Sequence, residues 1–67
     1  MRYWINKSEG KLYSWEKYVG CRFKFIGHRD WIACTRPLWT LEQVVDFEEI
    51  SESKVRLMEL LQIIGKV

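Results

Sequence analysis

The chain has 67 residues, of which 48% are hydrophobic and 30% charged, and its formal net charge is +2. A chain of this length forms one domain and buries only about 60% of the surface that its unfolded form exposes, so every large apolar side chain matters for stability. The charge is too small for the uniformly cationic surface of a nonspecific DNA-packaging protein, and no apolar run reaches the ~18 residues of a membrane span.

Aromatic and basic residues are concentrated in residues 1–36. This part holds eight of the ten aromatic residues and eight basic against three acidic side chains, whereas residues 37–67 hold three basic and six acidic ones. We interpret the chain as a single domain, 1–67, with a basic, aromatic, β-rich part (1–36) followed by an acidic, helical part (37–67). Pro37, the only proline, marks the seam between them.

The first predicted element is a hairpin of two short aromatic strands, Arg2–Asn6 and Lys11–Trp15. Gly10 can adopt the left-handed conformation that closes the intervening loop. If Asn6 faces Lys11, alternation divides the apolar side chains between two faces, one with Trp4, Tyr13 and Trp15 and the other with Tyr3, Ile5 and Leu12. A hairpin with two apolar faces must curl into a small barrel, be covered on each side, or meet a partner.

Residues 20–27 alternate in the manner of a strand. Cys21, Phe23 and Phe25 point to one side, and Arg22 and Lys24 point to the other.

A turn at Gly27-His28 brings a second strand, Asp30–Thr35, back antiparallel to the first. This register places Cys21 opposite Cys34. On the outer side of the sheet it places Lys24 opposite Trp31. A three-residue loop would exchange the two faces, so the outward placement of Trp31 depends on the turn.

The segment after Pro37 has two interpretations. Thr40 and Gln43 form a capping-box pattern, and Trp39 can pack on Val44, which predicts a short helix. Alternatively, the β-forming residues within Glu42–Ile50 predict a last strand.

The final segment is predicted as a helix that Ser51 or Ser53 caps and Gly65 ends. Glu52 and Arg56 are placed for an ion pair on its wet side. Its core-facing stripe is predicted to contain Leu57, Leu60, Leu61 and Ile64, and the apolar surface is widened by Val55, Met58 and Ile63. The predicted fold class is therefore α+β, with a small antiparallel sheet of three to four strands, barrel-like if it curls, followed by one or two C-terminal helices.

The sequence offers little for catalysis. Cys34 and His28 would be roughly 20 Å apart along one strand, which excludes them as a nucleophile–base pair and also argues against a zinc site with Cys21. Both cysteines are expected to be small buried hydrophobes, because a disulfide between them, although geometrically conceivable, is disfavoured in a reducing compartment. We expect no enzyme activity, no cofactor, no metal and no small-molecule substrate.

The N-terminal residues lack the apolar core of a secretory signal, so we expect a cytoplasmic protein without a membrane partner. The leading hypothesis is a binding module for nucleic acid, single-stranded in preference, because cations beside a flat aromatic ring suit phosphates and exposed bases. The predicted binding residues are Arg22, Lys24, Trp31, Arg29, Lys17 and Arg36. The alternative for the basic residues is the ordinary solvated side of a half-buried sheet.

The second functional hypothesis is a protein-interaction module or inhibitor-like accessory protein, with a homodimer as one form. Small accessory proteins of phages and mobile elements are an analogy in size and composition only. Surplus apolar area would dock the partner, and the acidic segment near residue 48 would supply complementary charge. The residues predicted for this role are Leu12, Ile63, Asp46, Glu48 and Glu49.

Overall fold

The computed structural model describes the backbone of residues 1–65 and the side chains of residues 1–60. Over this part the chain is α+β, as predicted, with a five-stranded antiparallel sheet that stays open instead of closing into a barrel. The order across the sheet is β4-β3-β2-β1-β5. In chain order the elements are β1 (Arg2–Asn6), β2 (Lys11–Glu16), β3 (Gly20–Phe25), β4 (Ile32–Cys34), α1 (Leu38–Gln43), β5 (Glu48–Ile50) and α2 (Glu52–Gly65).

The first hairpin has the predicted register, with Asn6 opposite Lys11. Its loop is closed by Gly10, whose φ of +67° is a conformation that side chains with a Cβ rarely adopt. The buried side chain of Asn6 accepts a hydrogen bond from the backbone N–H of Glu9 at 3.1 Å, which holds the loop. The turn and the alternation together therefore set which side chains share a face.

The central hairpin also has the predicted register, with Cys21 opposite Cys34 and Phe23 opposite Ile32. The connection is longer than the predicted two-residue turn, because β3 ends at Phe25 and β4 begins only at Ile32. The faces are nevertheless the predicted ones, since the longer loop preserves the pairing.

One side of the sheet, the α1 face, is covered by α1 and the segment after it. Its core consists of Trp4, Tyr13 and Cys21 packed on Leu41, which is fully buried. The helix begins after Pro37, and no side chain caps it, so the predicted capping box at Thr40 is wrong: Thr40 lies within the helix. Trp39 is 60% exposed instead of packing inward.

The other side, the α2 face, is covered by α2. Its core consists of Ile5, Leu12, Ile50 and Val55. Helix α2 is capped by Ser51, whose Oγ accepts the backbone N–H of Lys54 at 3.2 Å. A helix on each side of the sheet thus covers the two apolar faces of the first hairpin.

The predicted packing stripe of α2 is wrong where it can be checked. Leu57 and Leu60 are each 55% exposed, and the side chains of Leu61 and Ile64 lie outside the described residues. The sheet is instead met by Val55, Met58 and Glu59. The predicted pair of Glu52 and Arg56 is present at 3.1 Å.

The two interpretations of residues 42–50 are each correct for part of the segment. Helix α1 continues to Gln43, and the chain then turns and adds Glu48–Ile50 to the free edge of β1. This fifth strand exceeds the predicted three or four. Neither helix, over the residues described, is long and apolar enough to cross a lipid bilayer.

Candidate functional site

The α1 face carries a group of cations and aromatic rings at its β3–β4 side, which we name the β3 aromatic surface: Lys11, Phe23, Phe25 and Arg36. The register places Lys11 directly opposite Phe25. The Lys11 Nζ lies 4.8 Å from the centre of the Phe23 ring and 5.2 Å from that of Phe25. Phe25 is 42% exposed, so a flat ring and an ammonium group meet the solvent together.

Arg36 follows β4 and lies at the other side of the same depression. Its Cζ atom is 5.4 Å from the centre of the Tyr13 ring and 5.1 Å from that of Phe47. Two ring faces therefore hold the guanidinium by cation–π attraction, which fixes where its remaining donors can act. The rings of Tyr13 and Phe47 themselves meet edge to face at 5.0 Å.

Between these cations lies an open cavity of about 380 Å³, within the size range of small-molecule and base-binding pockets. Its walls combine aromatic, cationic, thiol and hydroxyl groups, so it offers both stacking and hydrogen-bonding partners. The lining residues are Lys11, Tyr13, Phe23, Cys34, Thr35, Arg36, Pro37 and Thr40.

Glu9 limits the positive potential of this cavity. Its carboxylate accepts a hydrogen bond from the Tyr13 hydroxyl at 2.8 Å and lies 4.0 Å from the Arg36 guanidinium. Burial and this hydrogen bond raise the pKa of Tyr13 to about 12, so the phenol stays protonated and neutral at physiological pH. The less neutralised cation of the surface is consequently Lys11.

The two cysteines lie near this cavity, one in its wall and one behind it. Cys34 is half-buried and lines the cavity, whereas Cys21 is buried behind it on the paired strand. Burial and the neighbouring Cys34 thiol raise the pKa of the Cys21 thiol to about 12. The two cysteines thus differ in accessibility.

The structure divides the predicted nucleic-acid residues between several places. Arg22 is exposed and Trp31 half-buried, and both line a second cavity of about 180 Å³ on the α2 face. Arg36 lies on the opposite, α1 face. Lys17 and Arg29 are exposed at opposite ends of β3, in the turn before it and the loop after it.

The outward exposure predicted for Lys24 is wrong. Lys24 is buried beneath Trp31, with its Nζ 5.1 Å from the ring centre, and it binds Glu59 of α2. The side of the strand was predicted correctly, but α2 covers that side. A continuous row of Arg22, Lys24 and Trp31 is therefore not available to a ligand.

The predicted partner-binding residues also divide. Leu12 is fully buried in the α2 face, so its prediction as a docking residue is wrong. Asp46, Glu48 and Glu49 are exposed, and a hydrogen bond from Arg2 lowers the pKa of Glu49. The side chain of Ile63 lies outside the described residues.

Sequence reasoning missed Lys11 and Phe25 as members of the β3 aromatic surface and Phe47 as a ring that contacts Arg36. The first two could have been found by pairing β2 with β3 through the turn at residues 17–19, because that register alone sets Lys11 against Phe25. Phe47 carries no comparable signal, since a turn after α1 brings it to Tyr13.

Among the residues that the structure describes, no group of three or more His, Cys, Asp and Glu side chains could hold a metal ion. No protein-family model, curated protein or solved structure matches this chain. The function is therefore inferred from the chemistry of the two faces of the sheet.

Proposed function

We propose that this protein is a non-catalytic cytoplasmic module that binds single-stranded nucleic acid through the β3 aromatic surface. The observation that carries the proposal is the position of the Lys11 ammonium, within 4.8 and 5.2 Å of the Phe23 and Phe25 ring centres. Phosphate and base are adjacent in a nucleotide, and this pairing of cation and ring offers a partner to each.

The exposed ring of Phe25 supplies the stacking platform. An unpaired base that stacks on an aromatic side chain contributes about 1–3 kcal/mol, and the interaction tolerates any base because every base has a flat face. Bases inside a duplex are stacked on one another and present no free face, which is the reason for the single-strand preference. The cavity of about 380 Å³ beside the ring can accept a neighbouring nucleotide.

Charge supplies the second contribution. Lys11 and Arg36 lie on the same face, and Lys11 has no carboxylate within ion-pair distance among the described side chains. For a single strand, each phosphate that pairs with such a cation adds about −0.7 to the slope of log affinity plotted against log salt concentration. Binding is therefore expected to be salt-dependent but modest, in keeping with a net charge of only +2.

The experiment measures anisotropy of a fluorescent single-stranded oligonucleotide over a range of salt concentrations. Phe25→Ala should weaken binding about tenfold, as loss of one stacked base predicts. Its matched control is Tyr18→Ala, because Tyr18 is 90% exposed at the opposite end of β3. Equal effects of the two substitutions would contradict the proposed platform.

The charge contribution is tested by Lys11→Gln, which should reduce the salt slope by about 0.7. Lys54 is an exposed residue of α2, so Lys54→Gln removes the same charge from a different place and should leave the slope unchanged. Arg22→Gln tests the cavity on the α2 face in the same assay. Loss of binding with Arg22→Gln but not with Lys11→Gln would move the site to that face.

A second candidate function is self-association through α2. Leu57 and Leu60 are each 55% exposed and, three residues apart, share one side of the helix. Sedimentation equilibrium of the wild-type chain should then give a mass above one chain, and Leu60→Lys should return it to the monomer. A monomeric wild-type chain at high concentration would exclude this candidate.

A further inference from the structure

The two cysteines are directly opposite each other on neighbouring strands. The pattern of backbone hydrogen bonds shows which of the two kinds of antiparallel pair they form. The backbone N–H of Ile26 donates to the Gly10 carbonyl at 2.9 Å, so the even-numbered residues of β3 turn their backbone groups toward β2. The odd-numbered residues, Cys21 included, therefore turn theirs toward β4, and Cys21 exchanges hydrogen bonds with Cys34.

In such a pair the two Cα atoms are about 5.5 Å apart, within the range of disulfide-linked residues. The side chains are farther apart than in a non-hydrogen-bonded pair, so ring closure requires a small adjustment of the three-residue strand β4. The side chains of directly opposed residues lie on the same side of the sheet, here the α1 face. The two side chains therefore lie beside each other, and the neighbouring Cys34 thiol contributes, after burial, to the raised pKa of Cys21.

We propose that Cys34 and Cys21 form a reversible thiol–disulfide site that reacts with low-molecular-weight disulfides of the glutathione type, with Cys34 as the attacking thiol and Cys21 as the resolving thiol. Cys34 has this role because it lines an open cavity, whereas Cys21 is 5% exposed. The inference concerns the same cavity as the proposed nucleic-acid site but does not rest on nucleic-acid binding.

The first step is an exchange. The Cys34 thiol releases its proton to solvent, and the thiolate attacks one sulfur of the small disulfide. A bond forms between Cys34 Sγ and that sulfur, the original S–S bond breaks, and the departing thiolate takes up a proton to become one free thiol.

The second step closes the ring. Cys21 loses its proton, attacks Cys34 Sγ and displaces the second small thiolate, which is protonated in turn. Two protein thiols are oxidised to one disulfide, and one small disulfide is reduced to two thiols. Burial keeps the pKa of Cys21 at about 12, which makes its thiolate rare, but the opposed position gives it a high effective concentration.

The cavity explains the order of reaction. A small disulfide can enter beside Cys34, where Arg36 and Lys11 supply positive charge for the carboxylates of a glutathione-like peptide. The same access is denied to Cys21 by its packing among Trp4, Tyr13 and Leu41. The reverse reaction, with an excess of small thiol, regenerates both protein thiols.

The test incubates the full reduced chain with oxidised glutathione, alkylates the remaining thiols and measures the mass. The wild-type chain should become lighter by two hydrogens, should resist alkylation at both positions and should carry no lasting adduct. Cys21→Ala should instead accumulate one glutathione on Cys34, and Cys34→Ala should react more slowly than Cys21→Ala.

The same reactions in concentrated urea are the control for folding. There both single variants should react at similar rates, because packing no longer distinguishes the two thiols. A stable glutathione adduct on the folded wild-type chain would overturn the proposal, as would equal rates for the two folded variants. Because the wild-type reaction is decisive by itself, instability of a variant does not affect the conclusion.

Discussion

Glu59 of α2 accepts a hydrogen bond from the Lys24 ammonium of β3, with 2.5 Å between Oε1 and Nζ. The Lys24 side chain is 3% exposed and that of Glu59 is 38% exposed, so the pair lies at the edge of the α2 face. Lys24 also approaches the Trp31 ring. The interaction fixes which side of α2 meets the sheet, because a buried ammonium without a carboxylate is unfavourable.

Glu59→Ala is expected to lower the free energy of unfolding by about 2 kcal/mol, since it leaves the ammonium of Lys24 buried without its partner. Adding Lys24→Met should restore part of this loss, because methionine fills a similar space without a charge. Urea denaturation of the two variants and of the double variant measures the difference. Glu52→Ala, which breaks an exposed pair, is the control and should change stability by no more than about 0.5 kcal/mol.

Tyr13 is expected to make stability fall at alkaline pH. Its pKa rises on folding from 10.0 to about 12, so its contribution is complete below pH 10 and is lost as the pH rises through 12. Tyr13→Phe removes the hydrogen bond to Glu9 and should cost about 1 kcal/mol at neutral pH. Urea denaturation at increasing pH should show that the difference in free energy of unfolding between wild type and variant becomes smaller above pH 10. A constant difference would contradict the assignment.

Arg2 connects two elements from its place on β1, with hydrogen bonds to Glu42 of α1 and Glu49 of β5. The bond to Arg2 lowers the pKa of Glu49, so this contribution is present above the ordinary carboxyl pKa and is lost as the pH falls through the lowered one. Arg2→Gln should therefore destabilise the chain at neutral pH, and the difference from wild type should disappear in acid. High salt should also reduce it, because all three side chains are exposed to solvent.

Gly10→Ala is expected to destabilise the first hairpin through the backbone alone. The φ of +67° disfavours a Cβ by about 1–2 kcal/mol, while the space around the position is open. Gly10→Asn should cost less, since asparagine tolerates the left-handed region. Thermal unfolding of both variants checks the order, and equal losses would point to a cause other than φ.

The pairings near a turn could be predicted from sequence, whereas the packing of distant elements could not. Gly10 and the alternation of β3 set both hairpin registers because the signals are local. The orientation of α2 is different: it carries apolar residues on more than one side, and helical periodicity cannot choose between Leu57 and Val55. The choice is made on the sheet by Ile5, Leu12 and Ile50 together with Lys24, which binds Glu59.

The candidate site was predicted in its chemistry but not in its place. The cation that reaches solvent beside aromatic rings is Lys11 of β2, which contacts Phe23 and Phe25, whereas Lys24 beside Trp31 is buried beneath α2. The predicted outer side looked available because no sequence signal shows which helix will cover which face. A last strand was one of two interpretations of Glu42–Ile50, and its bounds could not be predicted, since Glu48–Ile50 is short and acidic and pairs because β1 offers a free edge.

The place of β1 inside the sheet has a consequence for biosynthesis. Although β1 precedes the other four strands in the described chain, one of its edges is paired by Glu48–Ile50, the last of them. During translation the strands β1–β4 therefore expose Tyr3 and Trp4 beside an open edge until β5 has emerged. Early termination after α1 would leave that edge free to recruit a strand from another molecule.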